Sequence, residues 1–161
     1  MLKDNTVGRL SKIDLAYIAG FLDGDGSIML QLHRRKSGKE GFRIKTVICF
    51  YQDVRHLKDV EWIKKTLNCG YLYIRNDHIC ELRIEGFEKV HQILKLLSPY
   101  LRFKRKQVEL MLELIPLLQQ KMIKQSEIVS WIKKMRGYNY ISNHRTILDD
   151  VPVTTDMEGT R

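Results

Sequence analysis

Apolar and polar positions along the chain switch between two periods, and the switches mark out the elements. From Ser11, the apolar residues Leu15, Ile18, Ala19 and Leu22 recur at helical spacing, which predicts a first helix ending at Gly24 and Gly26. Ser11 with Asp14 three residues later is a capping signal for its start. Ala16 and Gly20 lie four apart and carry little or no side chain, so their face admits another helix closely. A strand with strict alternation follows. Ile28, Leu30 and Leu32 point one way, and Met29, Gln31, His33 and Arg35 the other. Residues 34–41 are charged, contain two glycines and read as a flexible hairpin loop. On the returning strand Ile44, Thr46, Ile48 and Phe50 oppose Arg43, Lys45, Val47, Cys49 and Tyr51.

Asp53 caps a predicted second helix, with Val54, Leu57, Val60, Ile63 and Leu67 at helical spacing. A second hairpin turns near Asn76 and Asp77. Tyr73, Arg75, Glu81 and Arg83 share one of its faces, while Cys80, Leu82 and Ile84 turn inward. A helix over 87–97 comes next, and Ser98-Pro99 breaks the chain. After a basic run, residues 102–106, a further helix reaches about Pro116, which should end or kink it. A last helix is expected over about 126–136. The tail beyond Gly137, with 151–161, shows weak periodicity and is expected to be partly disordered.

Strands with one apolar and one polar face predict an antiparallel sheet covered by helices on one side only. The fold class is therefore α+β. One domain is expected over 1–161, with a core at about 11–120 and a helical extension and tail at about 121–161. The uncovered sheet face shows Gln31, His33, Arg43, Lys45, Arg75 and Arg83, groups able to reach base edges in a DNA groove. An ordinary solvated face carries such residues too.

Charge tilts this balance. The 161 residues hold 28 Lys+Arg against 19 Asp+Glu, a net +9, which favours an anionic partner and nucleic acid first. No apolar run approaches the roughly 18 residues of a membrane span. The polar segment 1–12 lacks the apolar region of a signal peptide. Cys49, Cys69 and Cys80 are odd in number and lack metal-type spacing, which argues against zinc and a disulfide framework and for an intracellular, reducing compartment.

The stretch from Ile18 to Ser27 is the most specific in the chain. Asp23 and Asp25 fall at a helix C-terminus, where the partial negative charge disfavours acids by about 0.3–1 kcal/mol each. The neighbouring glycines open backbone carbonyls, and carboxylate plus carbonyl oxygen suits Mg²⁺. From the residues alone, helix termination remains the simpler account of both aspartates.

That stretch, IAGFLDGDGSI, resembles the LAGLIDADG motif of homing endonucleases. Tyr51-Gln52, Cys69-Gly70-Tyr71 and the run from Leu97 to Gln107 resemble the single-motif members encoded in ribosomal RNA introns. The similarity covers about residues 11 to 120. It implies an αββαββα core with a saddle-shaped sheet, plus C-terminal helices. It also implies a site-specific endonuclease that hydrolyses both DNA strands across the minor groove and leaves short 3′ extensions.

By this resemblance Asp25 is the metal ligand and Gly24 offers a carbonyl, whereas Asp23 mainly shapes the helix end. Gln52 orders water near the scissile phosphate, and Lys104 lies close to that phosphate. His56 stands where relatives carry arginine. Gln31, His33, Arg43, Lys45, Tyr73, Arg75, Glu81 and Arg83 are candidate base readers, and Arg105 and Lys106 candidate phosphate contacts. The cofactor implied is Mg²⁺, with Mn²⁺ substituting and Ca²⁺ binding without supporting cleavage. No small-molecule cofactor and no membrane partner are expected. The sequence shows no second motif, so the resemblance implies a homodimer through Ala16, Ala19 and Gly20, acting on a roughly palindromic duplex. The compartment would be an organelle or a prokaryotic cytoplasm. Two other readings share the fold: an RNA-binding maturase, and a DNA-binding regulator without catalysis.

Overall fold

Ser11 starts the first helix as the pattern predicts: its hydroxyl accepts the Asp14 N–H at 3.5 Å. The computed structural model describes residues 10–34 and 41–139. Arg35 with the rest of the first hairpin loop, the polar segment before residue 10, and the tail beyond Asn139 lie outside the described residues. The elements are α1 (Lys12–Asp25), β1 (Gly26–Arg34), β2 (Phe42–Asp53), α2 (Leu57–Leu67), β3 (Tyr71–Ile74), β4 (Ile79–Glu85), α3 (Phe87–Leu97), α4 (Arg105–Gln119) and α5 (Gln125–Tyr138). Short 3₁₀ turns, Val54–His56 and Ser98–Tyr100, precede α2 and follow α3.

The four strands form one antiparallel sheet in the order β1-β2-β4-β3. Its covered face carries the predicted apolar set. Ile28, Ile48, Phe50, Leu82 and Ile84 are fully buried beneath Ile18 and Leu22 of α1, Val60 and Ile63 of α2, and Val90 and Leu94 of α3. Each such side chain contributes about 1.5–3 kcal/mol of hydrophobic stabilisation. Phe21 stacks on Phe50 with ring centroids 6.0 Å apart, fixing α1 to β2. At the surface Tyr17 meets Trp62 edge-on, tying α1 to α2.

Three features depart from the pattern reading. Asp53 caps the 3₁₀ turn rather than an α-helix, accepting the Arg55 N–H at 2.9 Å. Pro116 neither ends α4 nor marks its boundary, because the helix continues to Gln119. A proline this close to the C-terminus removes one N–H donor with only a final turn beyond it, and the buried Leu114 and Ile115 hold that turn in place. Val47 and Cys49 face the open side of the sheet yet are fully buried. Each is small and sits in an inner strand beside a long neighbour: Met29 and Glu85 flank Val47, and Arg83, opposite Ser27, flanks Cys49.

The last helix is clamped by Gln107, whose side chain donates to the Tyr138 carbonyl at 3.0 Å and to Asn139 Oδ1 at 3.3 Å. Asn139 in turn donates to the Ile28 carbonyl of β1 at 2.9 Å. Gln107 is buried by this role. No described helix is long and apolar enough to cross a membrane.

Candidate functional site

The end of α1 is built by three residues with different duties. Gly26 closes the helix through its N–H, which donates to the Leu22 carbonyl. A Cβ there would lie 2.5 Å from Leu22 Cδ1, so only glycine fits. Asp23 turns away from the helix end toward the loop before α4. Its Oδ2 accepts the N–H groups of Arg102 at 2.6 Å and Phe103 at 3.2 Å, and its Oδ1 accepts that of Lys104 at 3.0 Å. These amides belong to the turn that leads into α4, so a side chain from α1 pins the segment just before that helix. The sequence reading gave Asp23 only a shaping role at its own helix end. Its larger task, across the fold, had no local signal.

Asp25 is left exposed, and among the described residues its carboxylate has no hydrogen bond or ion pair. No basic residue occupies the last turn of α1 to offset the helix's negative end. The nearest compensation is Lys104. Its Nζ donates to the Asp23 carbonyl at 2.6 Å. Burial lowers the pKa of this lysine below the ordinary range, opposed by the negative charges of Asp23 and Asp25. The structure thus brings Asp25 and Lys104 into one charged cluster, with the Gly24 backbone exposed beside them.

Gln52 makes no hydrogen bond to that cluster among the described residues. It falls on the helix-covered side of β2, and its Oε1 accepts the N–H of Asp53 at 2.9 Å. It lines a cavity of about 410 Å³ with Ile13, Tyr17, Phe21, His56, Asp59 and Trp62. His56 Nδ1 lies 3.4 Å from Asp59 Oδ2, both side chains being exposed. Arg55, its neighbour, is held by Asp53, whose carboxyl the Arg55 hydrogen bonds lower to about 2.

One face of α1 is open. Ile13, Ala16, Tyr17, Gly20 and Gly24 lie exposed along it, and a Cβ added at Gly20 or Gly24 would meet nothing within 4 Å. Ala19 corrects the expected contact set. It is fully buried in the chain's own core, because it sits four residues after Leu15 and three before Leu22 on the inward face.

The open face of the sheet arranges the other candidates in rows. Gln31 pairs with Lys45 and His33 with Arg43 across β1 and β2. Tyr51, Glu81 and Tyr73 form one row across β2, β4 and β3, and Cys49, Arg83 and Tyr71 the next. Gln31 Oε1 and His33 Nε2 are 3.2 Å apart. Arg75 lies just past β3, in the turn. Glu81 does not stand free: its buried carboxylate bridges Arg75 and Arg83, each at 3.3 Å. Tyr71, Tyr51 and Glu85, absent from the sequence candidates, belong to this face as well. Burial pushes the Tyr51 hydroxyl up to about 12, helped by its hydrogen bond with Cys49. Beyond the sheet, Lys106 reaches over the Tyr138 ring, 5.9 Å from its centroid, while Arg105 is exposed and donates weakly to the Leu101 carbonyl at 3.5 Å. All three cysteines are free thiols, two of them buried.

Comparison with known proteins bears on all of this. The DNA endonuclease I-CvuI of Chlorella vulgaris is 32% identical over 105 residues, which span 65% of this chain and 65% of that protein, just under two thirds. The DNA endonuclease I-CreI of Chlamydomonas reinhardtii is 25% identical over 151 residues, 92% of each chain. The crystal structure of the homing endonuclease I-CvuI, in complex with its target in the presence of 2 mM Ca, superposes with a TM-score of 0.78. That match has 25% identity and covers 86% of this chain and 89% of the other. The family model described as LAGLIDADG endonuclease matches residues 18–115, from Ile18 of α1 to Ile115 of α4, and so takes in the whole Asp23, Asp25 and Lys104 cluster. The chain belongs to the LAGLIDADG endonuclease family.

Proposed function

We propose that the chain is a site-specific double-strand DNA endonuclease, one domain per chain, which acts as a homodimer and depends on divalent metal, with Mg²⁺ the natural ion. The observation that carries this reading is Asp25: an exposed carboxylate without a hydrogen-bonding partner among the described residues, at the negative end of a helix, beside a half-buried lysine. That donor set fits a hard divalent cation, since Asp25 supplies carboxylate oxygen and Gly24 an exposed backbone carbonyl, while Lys104 is engaged by the Asp23 carbonyl rather than by the Asp25 carboxylate. Such an ion, when bound, lowers the pKa of water and offsets charge on the departing 3′ oxygen.

The chain's own residues do the rest. Lys104, anchored through the Asp23 carbonyl, holds positive charge where a phosphate would meet Asp25 and offsets charge developing on it. Gln52 keeps its amide N–H₂ free while its oxygen is engaged by Asp53, which leaves a donor to orient a water or phosphate oxygen. One chain supplies one Asp25, and among the described residues no three metal-ligating side chains gather. The open strip on α1 supports pairing with a second copy, which would set two Asp25 carboxylates together. The sheet face then reads each half of a roughly palindromic duplex, on the order of 20 base pairs if each half spans one helical turn.

The test is Asp25→Asn assayed for both binding and cleavage of the DNA that flanks the coding sequence in its genome, with Mg²⁺. Cleavage is expected to vanish while binding persists. An Asp25→Asn protein that cuts at the normal rate removes the catalytic assignment. Wild-type protein that binds but never cuts supports a regulator instead, and preferential RNA binding supports a splicing cofactor.

A further inference from the structure

Glu85 is where three side chains of the open sheet face meet. Its Oε1 accepts from Arg83 Nε and Nη2, each at 3.3 Å, and from the Tyr71 hydroxyl at 3.2 Å. Its Oε2 lies 3.8 Å from Lys45 Nζ. Arg83 is gripped from its other side, where Nη1 donates to Oε2 of Glu81 at 3.3 Å. Glu81 itself is buried and anchored by Arg75.

A guanidinium carries five N–H groups in a fixed fork. The two carboxylates take one from Nε, one from Nη2 and one from Nη1. At most one N–H remains on each terminal nitrogen, beside the Tyr71 hydroxyl, which also lies against the guanidinium. That remaining pair is the edge an arginine offers to O6 and N7 of guanine in the major groove. A long side chain normally loses rotamer freedom when it binds. Here the freedom is already gone, because Arg83 is three-quarters buried and held at three donors before any partner arrives.

We propose that Glu85 is a specificity-determining positioning residue: with Glu81 it fixes Arg83 so that the free fork reads one guanine in each half-site. Through Lys45 it also couples that reading to the neighbouring base pair. Glu85 touches no base in this arrangement and acts through Arg83. The inference rests on the DNA endonuclease reading above.

The sign of its effect separates positioning from mere folding. Removing the acid adds net positive charge to the face, so affinity for DNA of unrelated sequence rises. Loss of the grip on Arg83 lowers the preference for guanine. A residue needed only for stability would lower both together.

The experiment selects randomised duplexes with the wild-type dimer, then measures competitive binding of the selected duplex and its single-base-pair variants. Wild type, Glu85→Gln, Arg83→Ala and the double variant are compared, with thermal melts alongside. Wild type is expected to prefer guanine at one pair per half-site, and Arg83→Ala to lose that preference. Glu85→Gln should reduce it by about fivefold or more, a part of the discrimination a bidentate contact supplies. Its melting temperature should stay close to wild type, and its binding to unrelated DNA should tighten. The double variant should match Arg83→Ala at that pair, because the two residues act as one unit. Full guanine preference in Glu85→Gln overturns the proposal, as does an even loss at every position accompanied by a lowered melting temperature. A selective wild type in which Arg83→Ala spares every guanine overturns it as well. A wild type without sequence-dependent binding would sink the DNA reading itself, a result distinct from any of these.

Discussion

Lys104 Nζ donates to the Asp23 backbone carbonyl at 2.6 Å, and the Asp23 carboxylate accepts the Lys104 backbone N–H at 3.0 Å. The two residues hold each other twice, and the second hold fixes the turn before α4. Replacing Asp23 by Ala removes the acceptor of three N–H groups. The expected cost is about 2 kcal/mol, in the range for hydrogen bonds to a charged group. Asp23→Asn keeps one acceptor oxygen and should recover part of it. Denaturant melts of the two variants check the order. Cleavage should fall more than stability, because Lys104 loses the geometry that sets it beside Asp25. Full cleavage by a destabilised Asp23→Ala would show that Lys104 needs no such anchor.

What could be read along the chain was whatever repeats locally. Alternation in β1, β2 and β4 set both hairpins, and helical spacing set α1, α2 and α3, because burial on one face imposes a period on the residues themselves. The Asp23 clamp joins residues about eighty positions apart, and no period encodes it. The same holds for Glu81: its alternation places it correctly on the open face, but its burial between Arg75 and Arg83 depends on cross-strand neighbours. Ala19 shows the opposite case. Its spacing from Leu15 and Leu22 already assigned it to the core face, and the family resemblance placed it in the helix contact. The roles of Asp25, Gln52 and Lys104 came from family resemblance, since an acid at a helix end is physically ambiguous until its partners are placed.

Gly20→Lys tests the pairing face of α1. A Cβ at Gly20 meets nothing within 4 Å in the single chain, so the fold itself accepts the side chain. An added charge on the contact face between two copies would be desolvated without a partner. The variant is expected to sediment as a monomer at micromolar concentration, with a native circular dichroism spectrum and no double-strand cleavage. A variant that remains dimeric and active would move the interface elsewhere.

Gly26→Ala meets the reverse situation. The new Cβ would fall 2.8 Å from the Leu22 carbonyl oxygen as well as against its side chain, and the backbone oxygen cannot move without breaking the helix end. Overpacking of this kind costs about 1–3 kcal/mol. Because Gly26 follows Asp25 directly, the shift should also displace the carboxylate. A chemical melt and a cleavage assay are expected to fall together; an unchanged melt would show that the α1 terminus relaxes freely.

Asp53 supplies a pH signature. Its folded carboxyl sits at about 2, lowered first by the hydrogen bond from the Arg55 side chain. The unfolded value is about 3.9. A depressed carboxyl pKa contributes stability that is complete above the unfolded value and is lost as pH falls through the folded one. The stability difference between wild type and Asp53→Asn should therefore be constant near neutrality and shrink between about pH 4 and 2. Melts of both proteins across that range check it, and a difference that persists at pH 2 would assign the effect to the cap geometry rather than the charge.

Thr46 is the one side chain among the described residues whose buried polar atom lacks a partner. Its Oγ1 makes no hydrogen bond although the residue is fully buried, on the covered face of β2 between Ile44 and Ile48. Its backbone is satisfied, since the carbonyl accepts the Gly86 N–H at 3.3 Å. The hydroxyl thus loses water on folding and gains nothing in return, a cost of about 1–3 kcal/mol. Valine has nearly the same shape without the unpaired group and suits a strand equally well. Thr46→Val is expected to raise stability by about 1 kcal/mol, with cleavage unchanged because the residue faces away from the open sheet surface. A destabilised Thr46→Val would mean that the hydroxyl is satisfied, by a bound water or by a segment outside the described residues.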